Sequence, residues 1–82
     1  MLTSRQAWDV LVARAPRNEW LKLRDLYSVV AAHVELDEQD RAPVAARGTS
    51  ARWQRTVRNA LQRQKQLSDI EWDRKEGFRF PD

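Results

Sequence analysis

The sequence has no cysteine, which removes disulfides, thiolate metal sites and cysteine nucleophiles together. Glycine occurs only at Gly48 and Gly77, too sparsely for a glycine-rich phosphate cradle. The single histidine, His33, falls between Ala32 and Val34 in a helical pattern and reads as a surface or boundary residue. Glu35, Asp37, Glu38 and Asp40 therefore have no imidazole or thiolate to complete a metal site, and their spacing lacks the glycine and closing glutamate of a calcium loop. No catalytic site and no cofactor are expected. Every long apolar run is broken by charge within a few residues, so no membrane span is expected either. The opening MLTSRQ lacks the basic and apolar regions of a signal peptide, which makes a cytoplasmic protein the default.

What the chain does contain is enough for one small core. Its 82 residues suit a single domain, and 41% hydrophobic with 33% charged residues is the composition of a soluble folded chain. With no covalent staple, packing must supply the stability. Much of the apolar surface comes from Trp8, Trp20, Trp53 and Trp72, each aromatic burying roughly 150–250 Å² when covered.

The net charge of +3 names no partner, but its distribution is uneven. From Arg47 to Gln66 there is no acidic residue, whereas Glu35–Asp40 holds four. One positive and one negative face are expected, the negative one meeting a protein neighbour or water.

Periodicity gives the order of elements. Ala7, Trp8, Leu11, Val12 and Ala15 recur at helical spacing, with Thr3 or Ser4 as N-cap, Thr3 and Gln6 as a capping box, and Pro16 as a stop, which predicts a helix over 4–14. Alternation around Trp20 and Lys22 suits a brief strand. Leu23, Leu26, Tyr27, Val30 and Val34 mark a second helix up to about Glu35. The segment ELDEQDRAPVAARGTS reads as one long connection, after which Thr49 or Ser50 caps a third helix. Ile70 and Trp72, then Phe78 and Phe80, alternate with polar residues on either side of Arg74-Lys75-Glu76-Gly77, a β-hairpin with Gly77 in the left-handed position. The expected fold class is α+β: a winged helix-turn-helix of three helices, a C-terminal two-stranded wing and a short third strand.

The third helix is the informative element. Trp53, Val57, Ala60, Leu61 and Gln64 share one face, and Arg52, Arg55, Asn59, Gln62 and Gln66 share the opposite one. Arginine forks onto guanine O6 and N7, and amides pair with adenine N6 and N7, so an arginine-and-amide face without acid suits the major groove of double-stranded DNA. Arg55, Asn59 and Gln62 are the first base-reading candidates, with Arg52 and Ser50 next. Arg47, Arg58, Arg63 and Lys65 lie nearer the flanks and suit phosphates, as do Arg74, Lys75 and Arg79 of the wing. Trp20 and Trp72 are either core residues or flat apolar covers for a base or its methyl group. Solvated faces rich in arginine and glutamine also occur on ordinary helices, because both residues are good helix formers.

The stretch TSARWQRTVRNALQRQKQLSDIEWDRKEGFRFPD resembles the C-terminal half of the winged-helix modules of bacterial restriction endonucleases. The similarity is to the methyl-directed, DpnI-like group and the Dam-replacing endonucleases, and more loosely to the Mrr N-terminal winged helix. It is carried by Arg52, Arg55 and Arg58, by Ala60-Leu61 before a basic and amide run, and by the charged turn followed by glycine, aromatic, arginine and aromatic. Trp20-Leu21-Lys22-Leu23-Arg24-Asp25-Leu26-Tyr27 resembles the start of their second helix. The resemblance implies a duplex reader sensing sequence or adenine methylation, fused to or associated with a nuclease domain. The chain itself has no acidic pair followed by a Glu-x-Lys-like site. Two other uses of the same fold stay open: a transcription regulator, and a winged helix serving protein assembly.

Overall fold

The computed structural model describes residues 1–44 and 50–81. The elements run α1 (Ser4–Arg14), β1 (Trp20–Leu21), α2 (Leu23–His33), α3 (Glu38–Arg41), α4 (Arg52–Gln66), β2 (Glu71–Asp73) and β3 (Gly77–Arg79). The three strands form one antiparallel sheet in the order β1-β3-β2. The fold is thus a small α+β one, with four helices among the described residues where three were expected.

Local chemistry explains the boundaries. Thr3 caps α1 by accepting the Gln6 N–H at 3.1 Å, and the Gln6 side chain accepts the Thr3 N–H at 2.9 Å. The expected capping box is present, and it satisfies two of the amides a helix start leaves unpaired. Pro16 follows the extended C-cap Ala15. Helix α2 begins after Lys22, whose N–H is taken by Asp25 at 2.9 Å, and ends at His33, two residues before the expected limit.

The additional helix α3 lies inside the segment expected to be a plain connection. Asp37 accepts the Asp40 N–H at 2.8 Å while Asp40 accepts the Asp37 N–H at 3.1 Å, a reciprocal acidic cap. Four residues are too few to show a period, so the pattern of apolar residues carried no sign of it.

Neither Thr49 nor Ser50 is assigned as the cap of α4. Thr49 lies outside the described residues, and the cap is Ala51, whose N–H is taken by the Gln54 side chain at 3.1 Å. The chain ahead of α4 is held by Arg52 N–H to the Ala42 carbonyl at 3.0 Å and by a bridge between Pro43 and Ala51. At its other end α4 stops at Leu67, before Ser68 with a φ of 63°.

The core gathers one stripe from each long helix and the inner side of the sheet. Ala7 and Leu11 of α1, Leu26 and Val30 of α2, and Val57, Ala60 and Leu61 of α4 meet Leu21, Ile70 and the fully covered Phe80. Trp8 stacks on Phe80 with ring centroids 5.7 Å apart, and Trp53 meets Tyr27 edge-on at 5.4 Å. These two tryptophans pack on the core, as their helical spacing predicts. Trp20 and Trp72, by contrast, stay 38% and 46% exposed.

Gly77 adopts a φ of 103°. A Cβ there would run into the Leu21 carbonyl oxygen, so glycine both makes the hairpin turn and lets β3 close against β1.

Candidate functional site

Helix α4 divides cleanly along its length. Val57, Ala60 and Leu61 are buried, Trp53 and Gln64 are half-buried, and Arg52, Arg55, Arg58, Asn59, Gln62, Arg63 and Gln66 are exposed. Spacings of three and four residues put Arg55, Asn59, Gln62 and Gln66 in one row, with Arg52 continuing it toward the helix start. The helix contains no acidic residue. Among the described residues, none of the side chains of Arg52, Arg55, Arg58, Asn59, Gln62 or Arg63 makes an ion pair or hydrogen bond within the fold. Arg58 lies close enough to Tyr27 to oppose the upward pull that burial exerts on the phenol's pKa.

Fifteen residues at about 1.5 Å per residue give a rod of roughly 22 Å, and a dressed helix of about 10–12 Å diameter matches a major groove about 12 Å wide. The arrangement offers planar forks and amides on a convex surface. Such a surface can donate several hydrogen bonds to polar groups set against it.

The other candidate residues are distributed differently. Ser50 is half-buried just ahead of the N-cap, and its carbonyl accepts the Val44 N–H at 3.2 Å. Arg47 lies outside the described residues. Lys65 rests over the Trp72 ring, 4.0 Å from its centroid, so its ammonium already has a partner in the hairpin.

Arg79 is engaged as well. Its Nη2 lies 2.6 and 2.8 Å from the two Glu71 oxygens and its guanidinium stacks 5.4 Å from the Trp20 ring centroid. The Glu71 carboxylate raises the Arg79 pKa further above its ordinary value.

Arg74 and Lys75 do stand exposed at the hairpin tip. The tip is built by Asp73, which accepts the Lys75 and Glu76 N–H groups at 2.8 and 3.0 Å. Those hydrogen bonds from Glu76 and Lys75 lower the Asp73 pKa. A Lys22 ammonium bonded to the Lys75 carbonyl ties the tip to the start of α2.

The strand register separates the two exposed tryptophans. Trp20, Arg79 and Glu71 are cross-strand partners on one side of the sheet, while Leu21, Phe78 and Trp72 align on the other. The structure does not bring Trp20 and Trp72 together on the exposed row of α4.

Two features escaped the sequence. Asp40, grouped there with the surface acids, is only 2% exposed and accepts the Leu2 N–H at 2.7 Å. The second is a cleft of about 580 Å³ between α1 and α4, lined by Ser4, Arg5, Trp8, Asp9, Ala60, Arg63 and Gln64. Arg5 lies outside the acid-free stretch, so charge distribution gave no reason to single it out. Among the described residues no group of three or more His, Cys, Asp or Glu is placed to hold a metal ion, and no helix is long and apolar enough to cross a membrane.

No protein-family model, curated protein or solved structure gives a significant match to the chain.

Proposed function

We propose that the chain is a winged-helix module that binds double-stranded DNA, with α4 in the major groove and the β2–β3 hairpin as its wing. One observation carries this reading. A helix locked inward by Val57, Ala60 and Leu61 turns Arg52, Arg55, Asn59 and Gln62 outward, free of acid along the helix and, among the described residues, of internal partners. Arginines on an ordinary solvated face commonly meet carboxylates on neighbouring turns, and none is available here.

On this reading Arg55, Asn59 and Gln62 read base edges, Arg52 serves the groove near the helix start, and Arg58, Arg63, Arg74 and Lys75 hold phosphates. Lys65 and Arg79 act inside the fold, bracing the hairpin through Trp72, Glu71 and Trp20. The resemblance to restriction-endonuclease modules makes a fused or associated nuclease the partner to look for, and adenine methylation the modification to test.

The test is titration of matched duplexes, unmodified, adenine-methylated and cytosine-modified, followed by fluorescence anisotropy across a salt series. Contact with about four to six phosphates gives a logarithmic salt slope of about −4 to −5. Arg55→Ala or Asn59→Ala is expected to cost about 1–3 kcal/mol on the preferred duplex and little on others. A flat salt response, or equal losses on all sequences, contradicts the assignment.

A further inference from the structure

We propose that Arg5 and Arg63, which line the same cleft between α1 and α4, hold a backbone phosphate of the duplex on the groove wall opposite the wing. The inference rests on the reading of α4 given above.

The two flanks of α4 are not equivalent. At about 100° per residue, Arg63 and Lys65 are separated by roughly 200° around the helix. Lys65 turns to the hairpin, where it covers Trp72, and Arg63 turns to α1, where it lines the cleft with Arg5. A helix seated in a major groove has a phosphate backbone along each side. The hairpin brings Arg74 and Lys75 to one of them; α1 is the element beside the other, and Arg5 is the cation it carries into the cleft.

The chemistry of the cleft suits a phosphodiester. Arg5 and Arg63 are exposed, and among the described residues neither is paired with a carboxylate. Asp9 is the acid in the lining, so the two arginines leave a local charge of +1 for one phosphate. The Ser4 hydroxyl and the Gln64 amide add neutral donors. Trp8 and Ala60 give the cleft an apolar floor on which a deoxyribose can rest. Planar guanidinium forks match phosphate oxygens in pairs, which an ammonium does not. Arg63 lies four residues beyond Asn59, so a phosphate held here borders the base pair that Asn59 faces.

The experiment compares Arg5→Gln with the unaltered chain by fluorescence anisotropy on preferred and scrambled duplexes over a salt series. Arg5→Gln is expected to weaken binding about three- to tenfold on every sequence alike and to make the salt slope shallower by about 1. Arg14→Gln, at the far end of α1 and outside the cleft, is expected to leave both unchanged. Arg5 is exposed and, among the described residues, unpaired, so the melting temperature should hold; if it does not, Arg5→Lys, which keeps the charge but not the fork, gives the reading through weaker binding at an unchanged slope. Parent-like affinity in whichever Arg5 variant folds, with the parent chain binding normally, overturns the cleft assignment and leaves α4 standing. A loss confined to one sequence overturns it too, because it makes Arg5 a base contact. Failure of the parent chain to bind any duplex removes both readings.

Discussion

Asp40 is a charged side chain that the fold takes inside, and its two oxygens are assigned separately. Oδ1 accepts from Leu2 and Oδ2 accepts from Asp37, so one carboxylate ties the chain ahead of α1 to the start of α3. Replacement by alanine leaves two N–H donors without acceptors in a covered place. Asp40→Ala is expected to cost about 2–3 kcal/mol in urea-induced unfolding. Asparagine recovers only part of this, because one of its two positions becomes an NH2 that faces an N–H donor. An Asp40→Asn protein as stable as the parent would mean that one of these two contacts contributes nothing.

Among the elements, the hairpin depends most visibly on a single backbone position. Gly77→Ala must force a Cβ against the Leu21 carbonyl at a φ of 103°, and the expected loss is about 1–3 kcal/mol with β3 detached from β1. Hydrogen exchange at the Phe78 amide reports it directly, and retained protection there would argue that the turn relaxes at no cost. This position was legible in the sequence, as were α1 and the inward stripe of α4, because a capping box, a helical period and a glycine after a charged turn each leave a mark within a few residues. What stayed hidden is what the chain decides over longer separations. Nothing near Lys65 or Arg79 announces that they will face Trp72 and Trp20, so both look available to phosphate in the sequence; the strand register sets Arg79 beside Trp20, and the docking of α4 on the hairpin lays Lys65 over Trp72. Helix α3 is hidden for the opposite reason: its capping aspartates look like surface charge, and it has no apolar stripe to mark it.

For the molecule as a whole, two carboxylates at separate places connect stability to pH. Asp37 is held below its ordinary value of 3.8, first by a hydrogen bond from the Met1 ammonium 2.9 Å away and then by the Asp40 N–H; Asp73 is held low by the Glu76 and Lys75 N–H groups. A carboxyl whose folded-state pKa is depressed contributes stability that is fully present above 3.8 and is lost as pH falls through the lower folded value. Thermal unfolding should therefore hold steady as pH is lowered toward 4 and decline below it. Replacing Asp73 by asparagine, which keeps an acceptor at the turn but does not titrate, should flatten part of that decline. An acid limb identical to the parent's would show that the tip contributes nothing to it.

The fully covered Phe80 carries a consequence for how the protein folds and unfolds. Its ring lies against Trp8, near the other end of the chain, and its carbonyl receives the Asn18 N–H at 2.9 Å. Closing these contacts joins residues from opposite ends of the domain, and the entropy of ordering so long a loop is lost before the contacts return any of it. Helix α1 and the sheet are therefore expected to lose protection together in one unfolding step, and a Phe80→Ala protein to melt earlier in both at once.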